Sequence, residues 1–206
     1  MNREDTIIIM GNGPSLGDVD FSVLDGYDTF GLNSAYRAYS RLDWWPTYHG
    51  CFDYRVTDNH KTNFIDLIES GKIKKHFYIR NISDKENFQF VNLLSYGSTD
   101  RMNNSPSNFS NFHDNGNSGA NACSVAACLG YKKMDSTPDT NPNYWFDDYQ
   151  QKGDEYNIPS GLSFHMPTWN KFAYRAAHSG IEVVNCSTIS TLRCFKRTPL
   201  EETLRC

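Results

Sequence analysis

The residues best suited to bind a ligand follow the first apolar run of the sequence, TIIIM (residues 6–10). They form the turn GNGPS, in which Asn12, Gly13 and Ser15 are the candidate contacts. Backbone N–H groups at such a turn are unpaired, and a helix start adds partial positive charge, so a phosphate or a ribose could dock there. The dinucleotide motif G-x-G-x-x-G is incomplete because Leu16 replaces its third glycine, and no Walker lysine follows. An ordinary strand-to-helix turn accounts for the pattern equally well.

Two further polar residues occupy the same kind of position. Asn33 ends the apolar run DTFGLN, and Asp53 ends the run TYHGCFD. Each residue alone is typical of a turn. Because the carboxyl ends of parallel strands meet at one edge of a sheet, we expect Asn12, Asn33 and Asp53 to lie along that edge. Together they favour a site for the base and the ribose hydroxyls of a nucleotide.

A fourth candidate element lies in the second half of the chain. Ser118 and Gly119 begin the alanine-rich stretch SGANACSVAACLGYKK, which has helical spacing. The start of this helix would offer N–H groups and a hydroxyl to a phosphate. A serine that only caps the helix is the alternative.

The elements that must position these residues alternate along the chain. The pattern predicts an α/β fold with a doubly wound, mostly parallel sheet in a single domain spanning residues 1–206. The predicted strands cover residues 6–10, 28–33, 47–53, 74–80 and 180–187, and the predicted helices cover 34–42, 60–71 and 119–133. A short helix is also predicted in the stretch LGDVDFSVL (16–24).

The chain departs from this pattern after Met134. A buried strand should follow the alanine-rich helix, but a stretch rich in Pro and Asp begins there instead. We therefore predict that a central strand is missing, within an absent segment of about 20 residues or more. Residues 95–117 read as a loop, and about 135–166 as an irregular, lid-like region.

Composition excludes several classes of function. The net charge is −4, and no run of Lys or Arg exceeds two residues, so nucleic acid is not an expected partner. No apolar run could span a bilayer and no secretory signal is evident, which predicts a cytoplasmic protein. The six scattered cysteines indicate neither a metal site nor a disulfide framework. Peripheral attachment at the inner membrane face and homo-oligomerisation stay open.

Three blocks carry a resemblance to a known family. IIIMGNGPSL, FGLNSAY and SGANACSVAACLGYKK occur in the expected order. They resemble the bacterial sialyltransferases of glycosyltransferase family 42 and related sialyltransferase-like proteins of surface-polysaccharide loci. The resemblance implies a Rossmann-like fold of the GT-A-variant type. It also implies transfer of sialic acid or a related nonulosonic acid from a CMP-sugar donor to a glycan acceptor hydroxyl, with neither a cofactor nor a metal ion.

The resemblance also implies roles for individual residues. Asn12 and Ser15 in the GNGPS turn would serve the ribose and phosphate, and Asn33 the cytidine. Asp53 would serve the cytosine or donor sugar, although an asparagine is expected there. Ser118 and Gly119 would bind the phosphate. The family's phosphate-binding tyrosines have possible substitutes in Tyr144 and Tyr149, which could instead pack as an aromatic lid.

His165 is the candidate general base. The resemblance implies a catalytic histidine in a loop before a late helix, and the stretch SFHMPTWNKFAYRAAH puts His165 there, with Pro167 suited to a first helical turn. Transfer to a hydroxyl requires removal of its proton near neutral pH, which a neutral histidine can perform. Four other histidines are weaker candidates: His49, His60, His113 and His178.

Two other functions remain open from the sequence. A pterin diphosphokinase-like enzyme also begins with a G-x-G-P-S-L turn and would need carboxylates for Mg²⁺, which Asp147, Asp148 and Asp154 could supply. A catalytically silent nucleotide-binding module, or an enzyme fragment, is the second alternative.

Overall fold

The computed structural model describes residues 3–94, 109, 112–136, 144–154, 162–187 and 189–204. Its strands are β1 (Thr6–Ile9), β2 (Asp28–Leu32), β3 (Tyr48–Cys51), β4 (Lys75–Tyr78), β5 (Phe88–Phe90), β6 (Leu93–Leu94), β7 (Phe112–His113), β8 (Lys133–Ser136), β9 (Glu182–Asn185) and β10 (Lys196–Arg197). Its α-helices are α1 (Tyr36–Leu42), α2 (Tyr54–Asn59), α3 (Lys61–Glu69), α4 (Ser118–Cys128), α5 (Leu162–His178) and α6 (Leu200–Leu204).

Eight of the strands form one sheet in the order β10-β9-β8-β1-β2-β3-β4-β5, and β6 pairs with β7 separately. Every neighbouring pair in the large sheet is parallel. The chain builds outward from β1 to β5 and then returns to β8 on the other side of β1. This confirms the predicted α/β class with a doubly wound, mostly parallel sheet.

The first strand shows why the sheet is covered on both faces. Ile7 and Ile9 belong to one buried cluster, and Ile8 and Met10 belong to a second cluster. Alternate residues of a strand point to opposite faces, so a continuous apolar run suits a strand buried on both sides. The alanines of α4 belong to the first cluster, where their small side chains let the helix lie close to the sheet.

The central strand that was predicted to be missing is present. Residues Lys133–Ser136 form β8, with Ile7 paired to Met134 and Ile8 to Asp135, and β9 lies on its other side. The prediction of a missing strand was wrong because β8 is four residues long and contains only one apolar side chain, Met134. Asp135 is fully buried in it. A short strand with a buried carboxylate leaves no hydrophobic signature.

Other boundaries also differ from the predictions. The stretch 16–24 forms no α-helix: a 3₁₀ helix, Pro14–Leu16, ends at its first residue, and a second covers Phe21–Leu24. The irregular region predicted for 135–166 is shorter, because β8 extends to residue 136 and α5 begins at 162. Of the residues between, only 144–154 are described, and most of the loop predicted at 95–117 also lies outside the described residues. Among the helices described, none is long and apolar enough to cross a bilayer.

Candidate functional site

The order of strands in the sheet reverses at the carboxyl ends of β1 and β8. Connections leave these adjacent strands toward opposite sides of the sheet, and ligands of open parallel sheets bind where this reversal occurs. The GNGPS turn follows β1, so it lies at this reversal point. Asn12 lies in this turn and bonds to Leu32, the residue before Asn33, and Asn33 in turn bonds to Ser118.

Asn12 is the residue of the turn that is most engaged with its neighbours. It is buried, and its Nδ2 donates to the carbonyl of Leu32 at 3.1 Å and to the hydroxyl of Tyr149 at 2.8 Å. Its Oδ1 is buried and has no hydrogen-bond partner within the described part of the chain. A buried acceptor in this state lowers stability unless a ligand or water satisfies it.

Asn33 comes directly after β2, next in sequence to Leu32, whose carbonyl accepts from Asn12. Its backbone adopts the left-handed conformation with φ of 52°, which asparagine tolerates better than most residues. Its Nδ2 lies 3.4 Å from Oγ of Ser118, at the start of α4. Its Oδ1 is also buried without a partner among the residues described. Two amide oxygens at this edge are therefore available as acceptors.

A series of hydrogen bonds between buried side chains leads from Asn33 into the core. Nε2–H of His49 donates to the Asn33 carbonyl at 3.0 Å, and Nδ1 of His49 lies 2.9 Å from the Tyr78 hydroxyl. Tyr78 also lies 3.1 Å from Nδ1 of His76. Burial, together with His76, lowers the pKa of His49 to about 3, and burial lowers the pKa of His76 to about 4. Both rings are neutral near pH 7, so each can donate one hydrogen bond and accept another.

Helix α4 begins at the site, but Ser118 is not its cap. Asn117 is the N-cap, and its Oδ1 accepts from the backbone N–H of Ala120 at 2.8 Å. Packing explains the glycine at position 119, because a Cβ there would lie 2.8 Å from the ring of Trp169 in α5. The absence of a side chain at Gly119 therefore lets α5 approach the start of α4. Ser118 keeps its hydroxyl for Asn33 or a ligand.

The backbone of His165 is linked to the start of α4 through the same contact between helices. Its carbonyl accepts from Oγ1 of Thr168 at 2.7 Å, and Nδ2 of Asn117 donates to that Oγ1 at 2.8 Å. Contrary to the sequence prediction, His165 lies within α5, whose first residue is Leu162, and Pro167 lies inside the helix. Burial lowers the pKa of the half-buried His165 ring. The ring is neutral near pH 7 and can accept a proton.

Ser15 and Gly13 shape the turn itself. Oγ of Ser15 lies 3.0 Å from Oγ of Ser187, which comes two residues after β9. Gly13 precedes the 3₁₀ helix in an extended conformation with φ of −73°. Positive φ therefore does not explain this glycine. The Ser15 hydroxyl ties the turn to the β9 side of the sheet, away from the β2 side where Asn33 lies.

Asp53 uses its carboxylate locally. It caps α2 by accepting from the backbone N–H of Arg55 at 2.9 Å, and it pairs with the Arg55 guanidinium at 2.8 Å. Within the described residues, no hydrogen bond joins Asp53 to Asn12, Asn33 or Ser118. The structure thus joins the other strand-end residues and leaves Asp53 in a separate local cluster.

Residues 144–154, here called the aromatic segment, cover the turn. The backbone N–H of Trp145 donates to the Asn12 carbonyl at 3.2 Å. The rings of Tyr144 and Tyr149 stack with centroids 4.0 Å apart, and Tyr149 is almost fully buried. Both tyrosines predicted from the sequence therefore lie in one stack, with the Tyr149 hydroxyl on Asn12.

Sequence reasoning missed Arg37, which holds the aromatic segment, and considered its partner Asp154 only as a possible Mg²⁺ ligand. Arg37 of α1 donates to the carbonyl of Tyr149 at 2.7 Å and forms a two-point ion pair with Asp154 at 2.8 and 3.0 Å. Burial opposes the charge on Asp154, but hydrogen bonds from Arg37 and Gln151 outweigh it and lower the pKa of Asp154 to about 2. Arg37 comes four residues after Asn33, but nothing local pairs it with a residue so distant in sequence.

Comparisons with known proteins agree with this architecture. No protein-family profile matches the chain, and no curated protein matches it in sequence. Among solved structures it is similar to sialyltransferase CST-II in complex with a trisaccharide acceptor and CMP, with a TM-score of 0.59 and 18% identity over 93% of this chain and 85% of that one. For CstII from Campylobacter jejuni in complex with cytidine-5'-monophosphate, the TM-score is 0.61 at 16% identity, over 98% and 87% of the two chains.

A second glycosyltransferase contains a similar fold within about a third of its length. MAf glycosyltransferase from Magnetospirillum magneticum AMB-1 matches with a TM-score of 0.54 and 13% identity, over 97% of this chain and 34% of that one. At these identities the likeness is one of fold. The chain therefore has the fold of the sialyltransferase CstII.

Proposed function

We propose that this protein is a glycosyltransferase that moves a sialic acid or related nonulosonic acid from a CMP-sugar donor to a hydroxyl of a glycan acceptor. The reaction needs neither a metal ion nor a cofactor, and His165 acts as the general base. The solved structures of similar fold support this assignment, because CstII was determined with CMP and with a trisaccharide acceptor. Localisation in the cytoplasm and any homo-oligomer belong to the same proposal.

One observation carries the proposal. Oδ1 of Asn12, at the β1–β8 reversal point, and Oδ1 of Asn33, after the neighbouring strand β2, are both buried, and neither has a partner among the described residues. Buried oxygens of this kind are stabilised by a ligand that supplies N–H or O–H donors. Cytidine supplies such donors through its exocyclic amino group and its ribose hydroxyls. The beginning of α4 at Ser118 is suited to the adjoining phosphate.

The proposed chemistry needs one proton transfer. As the acceptor oxygen bonds to the anomeric carbon of the donor sugar, its proton passes to His165, and the bond from that carbon to the CMP phosphate breaks. A neutral ring is required for this step, and burial lowers the pKa of His165 in the necessary direction. Tyr144 and Tyr149 are proposed to contact the leaving phosphate. Contacts from Ser15, Gly119 and Asp53 to the donor remain predictions.

The two alternatives make different demands. A Mg²⁺-dependent diphosphokinase would use Asp147, Asp148 and Asp154, but Asp148 pairs with Arg41 and Asp154 pairs with Arg37. Two of its three carboxylates are thus paired with arginines, although only the Arg37–Asp154 pair is shielded from water. A silent nucleotide-binding module would use the same asparagines and differs only in lacking turnover.

Calorimetry with CMP and a donor-hydrolysis assay with CMP-sialic acid, both run with and without EDTA, test the assignment. We expect CMP to bind, the donor to be hydrolysed, and EDTA to leave both unchanged. Binding without hydrolysis would favour the silent module. Loss of donor hydrolysis in EDTA that Mg²⁺ restores would contradict the metal-independent mechanism, and CMP binding or donor hydrolysis by the wild type would contradict the diphosphokinase-like alternative.

A further inference from the structure

Helix α1 and the aromatic segment are joined by the partly buried ion pair between Arg37 and Asp154. Both terminal nitrogens of Arg37 bond to the carboxylate of Asp154, and the two side chains are only 13% and 9% exposed. A forked pair shielded from water is stronger and more directional than a single surface contact. The pair therefore fixes both the distance and the orientation between α1 and residue 154.

Arg37 also holds Tyr149 directly. Its Nη1 donates to the Tyr149 carbonyl at 2.7 Å, while the hydroxyl at the other end of the same residue receives the Nδ2 hydrogen bond of Asn12 at 2.8 Å. Tyr149 is thus held at both ends, by Arg37 at its backbone and by Asn12 at its ring. Movement of the backbone would withdraw the hydroxyl from Asn12.

Asp154 is held in turn by neighbours on both sides. It accepts from the backbone N–H of Gln151 at 2.8 Å, and Nε2 of His60 lies 3.3 Å from its Oδ1. Nδ1 of His60 lies 2.7 Å from the hydroxyl of Tyr36, the residue that precedes Arg37 in α1. The carboxylate is therefore set within a cluster that returns to the same helix.

We propose that Arg37 and Asp154 are positioning residues of the candidate donor site: they fix the aromatic segment so that Tyr149 lies against Asn12. The inference rests on the proposed function for its ligand, CMP, but not for its structural part. Arg37 touches neither Asn12 nor Asn33 through any described hydrogen bond, so its effect on the ligand passes through Tyr149.

A second ion pair between the same two elements serves as a matched control. Arg41 lies four residues after Arg37 on α1 and pairs with Asp148 at 3.1 Å, but these side chains are 53% and 50% exposed. Exposed pairs contribute little, because water and salt screen them. Arg41→Gln removes the same charge from the same helix without touching Tyr149 or Asp154.

The structural part is tested by tryptic cleavage after Lys152, an exposed residue within the aromatic segment. We expect Arg37→Gln and Asp154→Asn to be cleaved there about tenfold faster than the wild type at a temperature where all variants are folded, and Arg41→Gln to be unchanged. Asp154→Asn keeps the shape of the side chain, so it provides the test if Arg37→Gln folds poorly. Equal cleavage rates in wild type and both buried-pair variants would overturn the proposal.

The ligand part is tested by calorimetry with CMP on the same proteins and on Tyr149→Phe. We expect the Kd for CMP to rise about tenfold in Arg37→Gln, and by less than twofold when the same change is made in Tyr149→Phe, since residues that act through one another are not additive. A full tenfold effect in the Tyr149→Phe background, or none in the wild-type background, would overturn the positioning role. If the wild type itself binds no CMP, the proposed function fails, and the cleavage rates still decide whether the pair holds the segment.

Discussion

The carboxyl ends of β2 and β3 are each followed by a polar residue, but the two residues bond to different parts of the molecule. Each parallel strand is followed by a small polar residue, Asn33 or Asp53, and the strands are direct neighbours. Asn33 adopts a left-handed backbone and turns its amide to Ser118 on α4. Asp53 stays extended, caps α2 and pairs with Arg55 two residues later.

The difference is whether a hydrogen-bond partner lies close in sequence to the polar residue. α2 begins immediately after Asp53, so the backbone N–H of Arg55 satisfies the carboxylate locally. Asn33 has no such partner in its own turn, and it faces the start of a helix that is distant in sequence. A polar residue at a strand end is thus available to a ligand when local structure leaves it unsatisfied.

The largest expected effect concerns His165, in the helix that packs against the start of α4. Replacing His165 with alanine should lower the turnover number for sugar transfer about 100-fold or more, because positioned proton transfer contributes at least this much. The Kd for CMP should stay within twofold of the wild type. Since burial lowers the pKa of His165, the acid limb of the pH–rate profile should lie below pH 6.5, with activity lost as pH falls through it.

His178→Ala is the matched control for that experiment. His178 lies at the other end of α5, is exposed, and donates from Nδ1 to the carbonyl of Tyr174. Its removal should leave turnover unchanged. A turnover number unaffected by His165→Ala, or equally reduced by both changes, would remove His165 from the mechanism.

Asp135 in β8 is a polar residue whose burial should affect stability. Burial, aided by Glu182 and opposed by Lys133, raises the pKa of Asp135 to about 6. The folded-state pKa of Asp135 exceeds its unfolded value, so Asp135 contributes most to stability at low pH, where it is protonated. This contribution, about 3 kcal/mol, is lost as pH rises from about 4 to above 6. Asp135→Asn should abolish this loss. Urea unfolding of the wild type and of Asp135→Asn at pH 4 and pH 7.5 gives the free energies of unfolding. An equal change with pH in the two proteins would contradict the prediction.

A smaller effect is expected at Asn33 itself. Asn33→Gly keeps the left-handed backbone and removes only the amide, so CMP affinity should fall about tenfold through lost hydrogen bonds. Asp43→Gly is the control, because Asp43 has a similar φ of 48° at the end of α1 and is exposed. Calorimetry with CMP on both variants is the measurement. Equal affinities for Asn33→Gly and Asp43→Gly would break the contrast between β2 and β3.

The smallest effect is expected at Asp53. Asp53→Ala removes the cap of α2 and should lower the free energy of unfolding by about 1 kcal/mol, whereas Asp53→Asn should retain most of the cap. Both variants should bind CMP within twofold of the wild type. A tenfold loss of CMP affinity in Asp53→Ala would show that the end of β3 belongs to the donor site after all.

Much of the architecture could be predicted because its signals are local. The apolar runs around Ile8, Phe30 and Val184 mark strands, and the alanines after Ser118 mark a helix that packs closely. β8 could not be predicted, since one methionine among Lys, Asp and Ser resembles a loop. Its strand conformation depends on pairing with β1 and β9, which lie far away in sequence.

The sequence by itself determined the parallel α/β class and which residues follow the strands, because apolar periodicity and turn chemistry act over a few neighbouring positions. Only the tertiary structure decided which of those residues meet. Asn12 touches Tyr149, and Arg37 reaches Asp154, across more than a hundred positions. Such contacts depend on the order of strands in the sheet and on the path of the aromatic segment, and the burial that strengthens them exists only once the chain has folded.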